Sequence, residues 1–306
     1  MSSSAPISSP PPASSTSTDG VWKRRLGKLI EPSVLLGPAG LWLLCLLVIP
    51  TLLILDISLH PGLRPGEAGV GYGAGNYTKI FEPVYLWVIG RSVFFAIVST
   101  LLCLALGFPV AYWIGLMAPK RLQNLILVSF VLPLWTSSLL RSYAWITILR
   151  PTGVLNSLLT SVGLPALDIL NRQGAVLIGM AYNFLPYMVL ILYASLEKLD
   201  KRLLEAAADL GANPQQSFWK ITVPQTLPGI AAGCLLVFIT SLGDFVVPEL
   251  LGGASSMTMA RLIYNQFLGA TRNWGFGSSL SMLLIFAVSV SIALLIKYGD
   301  QKAENF

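Results

Sequence analysis

The sequence contains very few charged residues. Asp, Glu, Lys and Arg make up only 11% of its 306 residues, hydrophobic residues make up 54%, and the mean hydropathy is +0.71. A soluble globular domain carries about 25% charged residues. The composition therefore excludes an ordinary soluble domain and favours a membrane protein. We attribute the net charge of +6 to basic loops on the cytoplasmic side of a membrane, and we expect no nucleic-acid partner.

The sequence is also poor in residues that build metal, disulfide and catalytic sites. Its three cysteines, Cys45, Cys103 and Cys234, all fall in apolar stretches, and its single histidine, His60, cannot form a zinc site alone. The Gly-rich phosphate loop of ATPases and the common hydrolase and metalloprotease motifs are absent. We therefore expect neither a cofactor nor a catalytic residue in this chain. A membrane enzyme or an ion-coupled carrier is the remote alternative.

Six apolar runs are long enough to cross a membrane, which takes about 20 residues. They lie at 35–57, 86–116, 125–149, 175–196, 230–250 and 279–298. We predict an all-α membrane protein with six transmembrane helices in one domain at 31–300. A disordered N-terminal segment at 1–30 and a short tail at 301–306 flank it. Within one long outer loop, residues 154–159 predict a short helix.

The distribution of Lys and Arg predicts the orientation. Twelve of the 20 lie on the same side as the N-terminus and six on the opposite side, while Arg91 and Arg141 lie within spans or at their rims. Because basic loops stay in the cytoplasm, we expect both termini there. The larger set is Lys23, Arg24, Arg25, Lys28, Lys120, Arg121, Lys198, Lys201, Arg202, Lys220, Lys297 and Lys302, and the smaller set is Arg64, Lys79, Arg150, Arg172, Arg261 and Arg272.

A polar segment at 200–224 separates the fourth span from the fifth. Residues 203–210 have the composition of a helix, with a run of three alanines. Gly211 stands where a C-terminal cap belongs, and a second short helix can start at Pro214. A helix-turn-helix on the cytoplasmic face of a membrane domain predicts docking of a soluble partner.

This segment resembles the EAA motif of ABC importer permeases. The matching positions are Glu205, Ala206, Ala207, Gly211, Ile221 and Pro224. One departure is Val223, which stands where Leu is usual before the proline. The resemblance implies a coupling helix seated in a groove of an ATP-hydrolysing subunit, where ATP and Mg are bound. An ordinary amphipathic loop is the alternative interpretation.

Two acidic residues inside the predicted fifth span are candidates for the translocation path. Asp244 and Glu249 flank Pro248, which disrupts the helix and lets both carboxylates line one opening. Charges within a span usually face a cavity or a partner. They therefore favour a cationic solute. The alternative is an internal ion pair with Arg141 or Arg91.

Four further polar and aromatic residues are weaker candidates for the same path. Asn183 and Tyr187 lie in the fourth span, where the proline at position 186 is expected to break the backbone ladder between them. Aromatic side chains can hold an aliphatic cation by cation–π contact. These candidates are Asn183, Tyr187, Trp135 and Tyr143.

Longer stretches resemble the membrane subunits of spermidine/putrescine importers, namely 132–145, 153–156, 185–188, 196–200 and 245–253. The resemblance implies the type I ABC importer fold in a bacterial inner membrane. It also implies four partners: two ATPase subunits, a second homologous permease that forms a heterodimer with this chain, and an extracytoplasmic solute-binding protein. Related subunits carry ferric iron, thiosulfate and other solutes, so another cargo is the alternative.

Overall fold

A computed structural model of the chain describes residues 19–67, 71–253, 256–269 and 271–303, and within them the regular structure is helical, with no strand. This agrees with the predicted all-α class. The helices are α1 (Asp19–Ser58), α2 (Gly75–Ile80), α3 (Pro83–Tyr112), α4 (Lys120–Val131), α5 (Ser138–Leu149), α6 (Val154–Ser161), α7 (Gln173–Glu197), α8 (Lys201–Asp209), α9 (Pro214–Ser217), α10 (Val223–Leu242), α11 (Val246–Leu251), α12 (Met259–Leu268) and α13 (Trp274–Ala303). Helix α6 confirms the short helix predicted at 154–159.

The chain divides into two compact units, Met1–Leu53 and Ile54–Phe306. In its described part the first unit is helix α1 as far as Leu53. Residues 19–30 belong to α1, whereas the sequence analysis predicts disorder there. Residues 1–18 of that predicted segment lie outside the described residues. The predicted tail is also partly helical, since α13 continues to residue 303.

Five helical stretches are long and apolar enough to span a membrane, and the predicted third span is not one of them. Instead, Lys120–Trp135 and Ser138–Ser161 meet at an angle of 96°. The backbone is extended at Thr136 and Ser137, directly after a turn that contains Pro133, which lacks an amide donor. The five continuous stretches are Gly40–Ser58, Pro83–Met117, Gln173–Glu197, Pro214–Leu242 and Trp274–Ala293.

The contacts between α3 and α7 show that the bent pair still crosses the membrane once. A Cβ atom at Gly107 would lie 3.2 Å from Met188, and one at Gly115 would lie 3.2 Å from Leu196. The two helices therefore run in the same direction. The chain must return to its starting side between them, and only the bent pair can carry it back. The predicted number of six crossings is confirmed.

Helix α7 lies at the centre of the second unit, against α3 and α10. A Cβ atom at Gly233 would lie 2.9 Å from the Met188 sulfur, and one at Gly229 would overlap Ser195. Small residues let helix backbones approach closely in a membrane, so packing explains the Gly-x-x-x-Gly face of α10. The largest fully buried side chains around it include Phe95, Met180, Met188, Leu192, Leu196 and Val237.

A second, smaller cluster of buried side chains joins the loops at the end of the bundle where α3 begins. A polar clamp holds it, because the Asn76 amide nitrogen donates to the carbonyls of Ser58 at 2.9 Å and His60 at 3.1 Å. Gly275 packs so closely on the His60 carbonyl that no side chain fits there. The cluster consists of Ile80, Val88, Met259, Leu262, Phe276 and Leu280.

Replacing Gly229 by Val should destabilise the bundle by about 1–3 kcal/mol, because the added carbons must displace Ser195. Gly90→Ala is the matched control, since nothing lies within 4 Å of its added methyl group and Ala favours helix. Thermal melting of the detergent-solubilised protein measures the difference. Equal melting temperatures for the two variants would contradict the packing role of Gly229.

Candidate functional site

The predicted docking segment forms a helical hairpin of α8 and α9, and its turn is closed by backbone hydrogen bonds. The Gly211 amide donates to the Ala208 carbonyl and the Ala212 amide donates to the Ala207 carbonyl, both at 2.9 Å. This is the Schellman pattern of helix ends. Gly211 has φ +83°, a conformation that costs other residues about 1–2 kcal/mol. The predicted capping role of Gly211 is confirmed.

Side chains cap the beginning of each helix in the hairpin. The Asp200 carboxylate accepts a hydrogen bond from the Arg202 amide at 3.0 Å. Asn213 and Gln216 form a reciprocal capping box, with bonds of 2.8 and 3.0 Å between each side-chain oxygen and the other residue's amide. Pro214 occupies the first position of α9, where its missing amide is not needed. The predicted second short helix is thus confirmed.

A π-helical turn, Phe218–Thr222, joins the hairpin to α10 and anchors it to α3. The ring of Phe218 makes edge contacts with Phe108 and Tyr112, with ring centroids 5.6 Å apart in both pairs. Helix α8 itself packs mainly on α9. An open cleft of about 630 Å³ lies between α8 and the ends of α7 and α10. The hairpin is therefore held to the bundle chiefly through its second half.

Most positions of the EAA-like motif are accessible. Ala207 is buried and Ile221 is half-buried, whereas the exposed positions are Glu205, Ala206, Gly211 and Pro224. Sequence reasoning overlooked two large apolar side chains in the same segment. Leu210, in the turn of the hairpin, is 88% exposed, and Trp219, in the π-helical turn, is 66% exposed. Exposed apolar groups on a polar segment mark an interaction surface. Two large apolar residues inside an otherwise polar stretch are the sequence feature that could have predicted this surface.

The two acidic candidates lie on different elements, so the prediction that they share the fifth span is wrong. Helix α10 ends at Leu242, Asp244 lies in the break that follows, and Glu249 belongs to α11. The Asp244 carboxylate accepts a hydrogen bond from the Val246 amide at 2.9 Å. The Asp244 side chain thus supplies an acceptor to the first backbone amides of α11, those of Val246 and Val247.

Helix α11 packs against both α5 and α7. Gly179 of α7 leaves room for Val247 and Leu251, with the Val247 methyl carbon 2.9 Å from where a Cβ atom would lie. Arg141 of α5 interacts electrostatically with Asp244. Two of the Arg141 guanidinium nitrogens, Nε and Nη1, are buried without a hydrogen bond in the described part of the chain.

Glu249 forms an ion pair with Arg261 of α12, a partner that the sequence analysis did not consider. The Arg261 Nη1 atom also donates to the Gly253 carbonyl at 2.7 Å. Arg141 interacts with Asp244 and Arg261 pairs with Glu249, so each of these two carboxyl groups has a positive charge beside it. The sequence analysis predicts an outer loop at Arg261. In the structure Arg261 lies on α12, a short helix outside the predicted spans.

An aromatic pair lies beside this ion pair. Phe245 and Tyr264 stack with ring centroids 5.0 Å apart and an interplanar angle of 13°. Both rings are more than one-third exposed. Sequence reasoning overlooked Tyr264 because it did not predict helix α12. The sequence feature that indicates this helix is its N-cap, Thr258, whose hydroxyl accepts a hydrogen bond from the Arg261 amide at 3.4 Å. The other aromatic candidates, Trp135, Tyr143 and Tyr187, are all exposed.

Asn183 is the only predicted path residue that is fully buried. Neither atom of its amide has a hydrogen-bond partner in the described residues, a condition that costs about 1–3 kcal/mol. It lies on α7 one turn beyond Gly179. Helix α7 continues through Pro186 without interruption, so the predicted break there is wrong. Among the described residues, no group of three or more His, Cys, Asp and Glu side chains could hold a metal.

Comparison with known protein families adds an independent finding. A sequence model described as "binding-protein-dependent transport system inner membrane component" matches residues 107–303. The chain is 41% identical over 266 residues to the spermidine/putrescine transport system permease protein PotB of Haemophilus influenzae, covering 86% of this chain and 92% of that protein. It is 38% identical to the protein of that name from Escherichia coli K12, covering 86% and 95%.

Solved structures share the fold. A bacterial ABC transporter involved in the import of the acidic polysaccharide alginate matches with a TM-score of 0.72 at 18% identity, covering 93% of this chain and 99% of that chain. The MetNI methionine ABC transporter matches with a TM-score of 0.54 at 17% identity, covering 72% and 99%. The predicted type I ABC importer fold is therefore confirmed.

The ion pair between Glu249 and Arg261 should couple α11 to α12 by about 1 kcal/mol, because Arg261 is largely buried. A double-mutant cycle with Glu249→Gln and Arg261→Gln, measured by thermal melting in detergent, gives this coupling. The pair Asp168–Arg172 is the control, since both side chains are about two-thirds exposed and solvent screens them. Additive effects at Glu249 and Arg261 would contradict the expected coupling.

Proposed function

The chain belongs to the family of binding-protein-dependent transport system inner membrane components, and we propose that it is the permease of an ATP-driven polyamine importer. Its cargo is spermidine or putrescine delivered by a solute-binding protein. The observation that carries the cargo assignment is the 41% identity to a spermidine/putrescine permease over nearly the whole of both chains. The balanced charges around Asp244 and Glu249 do not by themselves select a polycation.

The proposed importer contains two ATPase subunits, which hold ATP and Mg, and a second homologous permease that forms a heterodimer with this chain. The ATPases dock on the hairpin of α8 and α9, whose accessible motif residues and exposed Leu210 and Trp219 supply the surface. We propose that both termini lie on the cytoplasmic side of a bacterial inner membrane. An even number of crossings and the excess of Lys and Arg on that side support this orientation.

Closure of the ATPases on ATP moves the hairpin, and two connections pass the movement to the spans. The first connection is the contact of the Phe218 ring with Phe108 and Tyr112 of α3. The π-helical turn runs directly into α10, whose far end is the break at Asp244. ATP binding, which favours the closed arrangement, thereby biases the opening of the path.

The cargo amine passes the exposed face formed by Glu249 and the Phe245–Tyr264 pair. A carboxylate beside aromatic rings suits an alkyl ammonium ion, which gains charge pairing and cation–π contact together. The ammonium replaces Arg261 as the partner of Glu249. Asp244, Asn183, Tyr187, Trp135 and Tyr143 belong to the same proposed path or to its support.

Gly211→Val should weaken retention of the ATPase subunits, because a β-branched residue cannot adopt φ +83° without strain and the hairpin turn would distort. Gly163→Val is the matched control. Gly163 has φ +82° and equally open surroundings, but it lies in the loop after α6, away from the hairpin. Co-purification of the ATPase with a tagged permease measures retention. A fully assembled and active Gly211→Val complex would contradict the docking assignment.

Deleting the gene for this chain should abolish uptake of labelled spermidine and putrescine, and the wild type should restore it. Restoration with Asp244→Asn should leave uptake about tenfold lower, as expected for one charged hydrogen-bonding group. Restoration with Asp168→Asn, which changes an exposed carboxylate outside the path, should be complete. Unchanged polyamine uptake in the deletion strain would overturn the cargo assignment and direct the search to other small solutes.

A further inference from the structure

A polar cavity of about 300 Å³ lies among the loops at the end of the bundle where α3 and α13 begin. Because α3 and α7 run in the same direction, this end is opposite the hairpin that follows α7. We call the cavity the outer socket. It is lined by Gly62, Arg64, Lys79, Tyr85, Gln266, Thr271, Asn273 and Phe276.

The outer socket contains an amide with no partner. Gln266 is only 8% exposed, yet it lines the cavity. Its side chain makes no hydrogen bond within the part of the chain that the structure describes. The amide borders an open cavity, so it is available to a ligand that enters there. Gln266 can donate two hydrogen bonds there.

The outer socket is also positively charged. Arg64 and Lys79 line it, and none of the described lining residues carries a carboxylate. Neither cation forms an ion pair with the described residues. Two exposed cations and an amide donor, with no carboxylate among the lining residues, suit an anion. A planar carboxylate matches the forked guanidinium of arginine.

The walls of the outer socket are fixed by packing and backbone hydrogen bonds. The Trp274 amide donates to the Leu63 carbonyl at 2.9 Å, one residue from Arg64. The rings of Tyr85 and Phe276 lie 4.7 Å apart. The Asn273 side chain accepts a hydrogen bond from the Phe276 amide at 3.1 Å. A preformed cavity loses little freedom when a ligand binds.

We propose that the outer socket receives an Asp or Glu side chain of the solute-binding protein when that protein docks. This inference rests on the proposed function, which places a binding protein at the end of the bundle opposite the hairpin. A polyamine cannot be the occupant, because two cations repel it. A carboxylate of the docking protein pairs with Arg64 and Lys79 and accepts from Gln266, and it fixes the orientation of the docked protein.

The test uses the complete importer in nanodiscs and measures ATPase activity against the concentration of polyamine-loaded binding protein. The double charge reversal Arg64→Glu with Lys79→Glu should raise the half-saturating concentration about tenfold or more, the loss expected for a close charge pair. Gln266→Leu, which keeps the side-chain volume, should raise it several-fold. The control Arg150→Glu with Arg172→Glu makes the same charge change at two exposed residues that do not line the socket, and it should keep the wild-type value.

A reciprocal change identifies the occupant. Acidic residues on the docking face of the binding protein are changed one at a time to Lys, and one of them should restore half-saturation with the charge-reversed socket. Half-saturation that is unchanged in both socket variants would overturn the proposal. So would an effect that appears in nanodiscs with phosphatidylglycerol and disappears in pure phosphatidylcholine, because a lipid headgroup would then be the occupant.

Failure of the proposed function is distinguishable from failure of the socket. A wild-type importer that loaded binding protein does not stimulate refutes the proposed function itself. Normal stimulation of the wild type with unaltered socket variants refutes only the socket.

Discussion

Close approach of helix backbones to α7 is the constraint on which the rest of the structure depends. Lipid offers helices no hydrophobic reason to associate, so they must gain their stability from contact. Gly229 and Gly233 bring α10 against Ser195 and Met188, while Gly179 admits α11. Each glycine fixes a register as well as a distance, since a shift of one residue would place a side chain where none fits. The direction and order of the neighbouring helices follow from these contacts.

The short helix α11, which follows the break after α10, is held in place by α5 and α7. Backbone that leaves the helical ladder at membrane depth must find partners within the protein. Asp244 supplies one acceptor, to the Val246 amide, and Arg141 supplies the opposite charge. The ion pair of Glu249 with Arg261 then ties the short helix to α12. Carboxylates, arginines and an aromatic pair are thus gathered where the chain changes direction, which is where a polar solute can be accommodated.

The sequence predicted well whatever depends on neighbouring residues. Apolar run length located the spans, and Gly211 with Pro214 located both ends of the hairpin turn. It predicted poorly whatever depends on distant contacts. No local pattern predicts the bend at Thr136 and Ser137. None predicts the pairing of Glu249 with Arg261 either, because these two residues lie on different helices. The predicted break at Pro186 is wrong because a long packed helix can lose one hydrogen bond and continue. The proline at 133 instead follows α4, which has no buried residue to hold the chain straight.

The hydrogen bonds that shape the hairpin of α8 and α9 join residues at most five positions apart. Its shape is therefore independent of the spans that surround the break at Asp244. This separation has an evolutionary consequence. Under the proposed function, lineages can diverge in the solute they transport, through substitutions around α5, α11 and α12, without altering the surface that we propose for ATPase docking. One ATPase can then serve permeases of different specificity, and new specificities can arise without the simultaneous adaptation of two proteins.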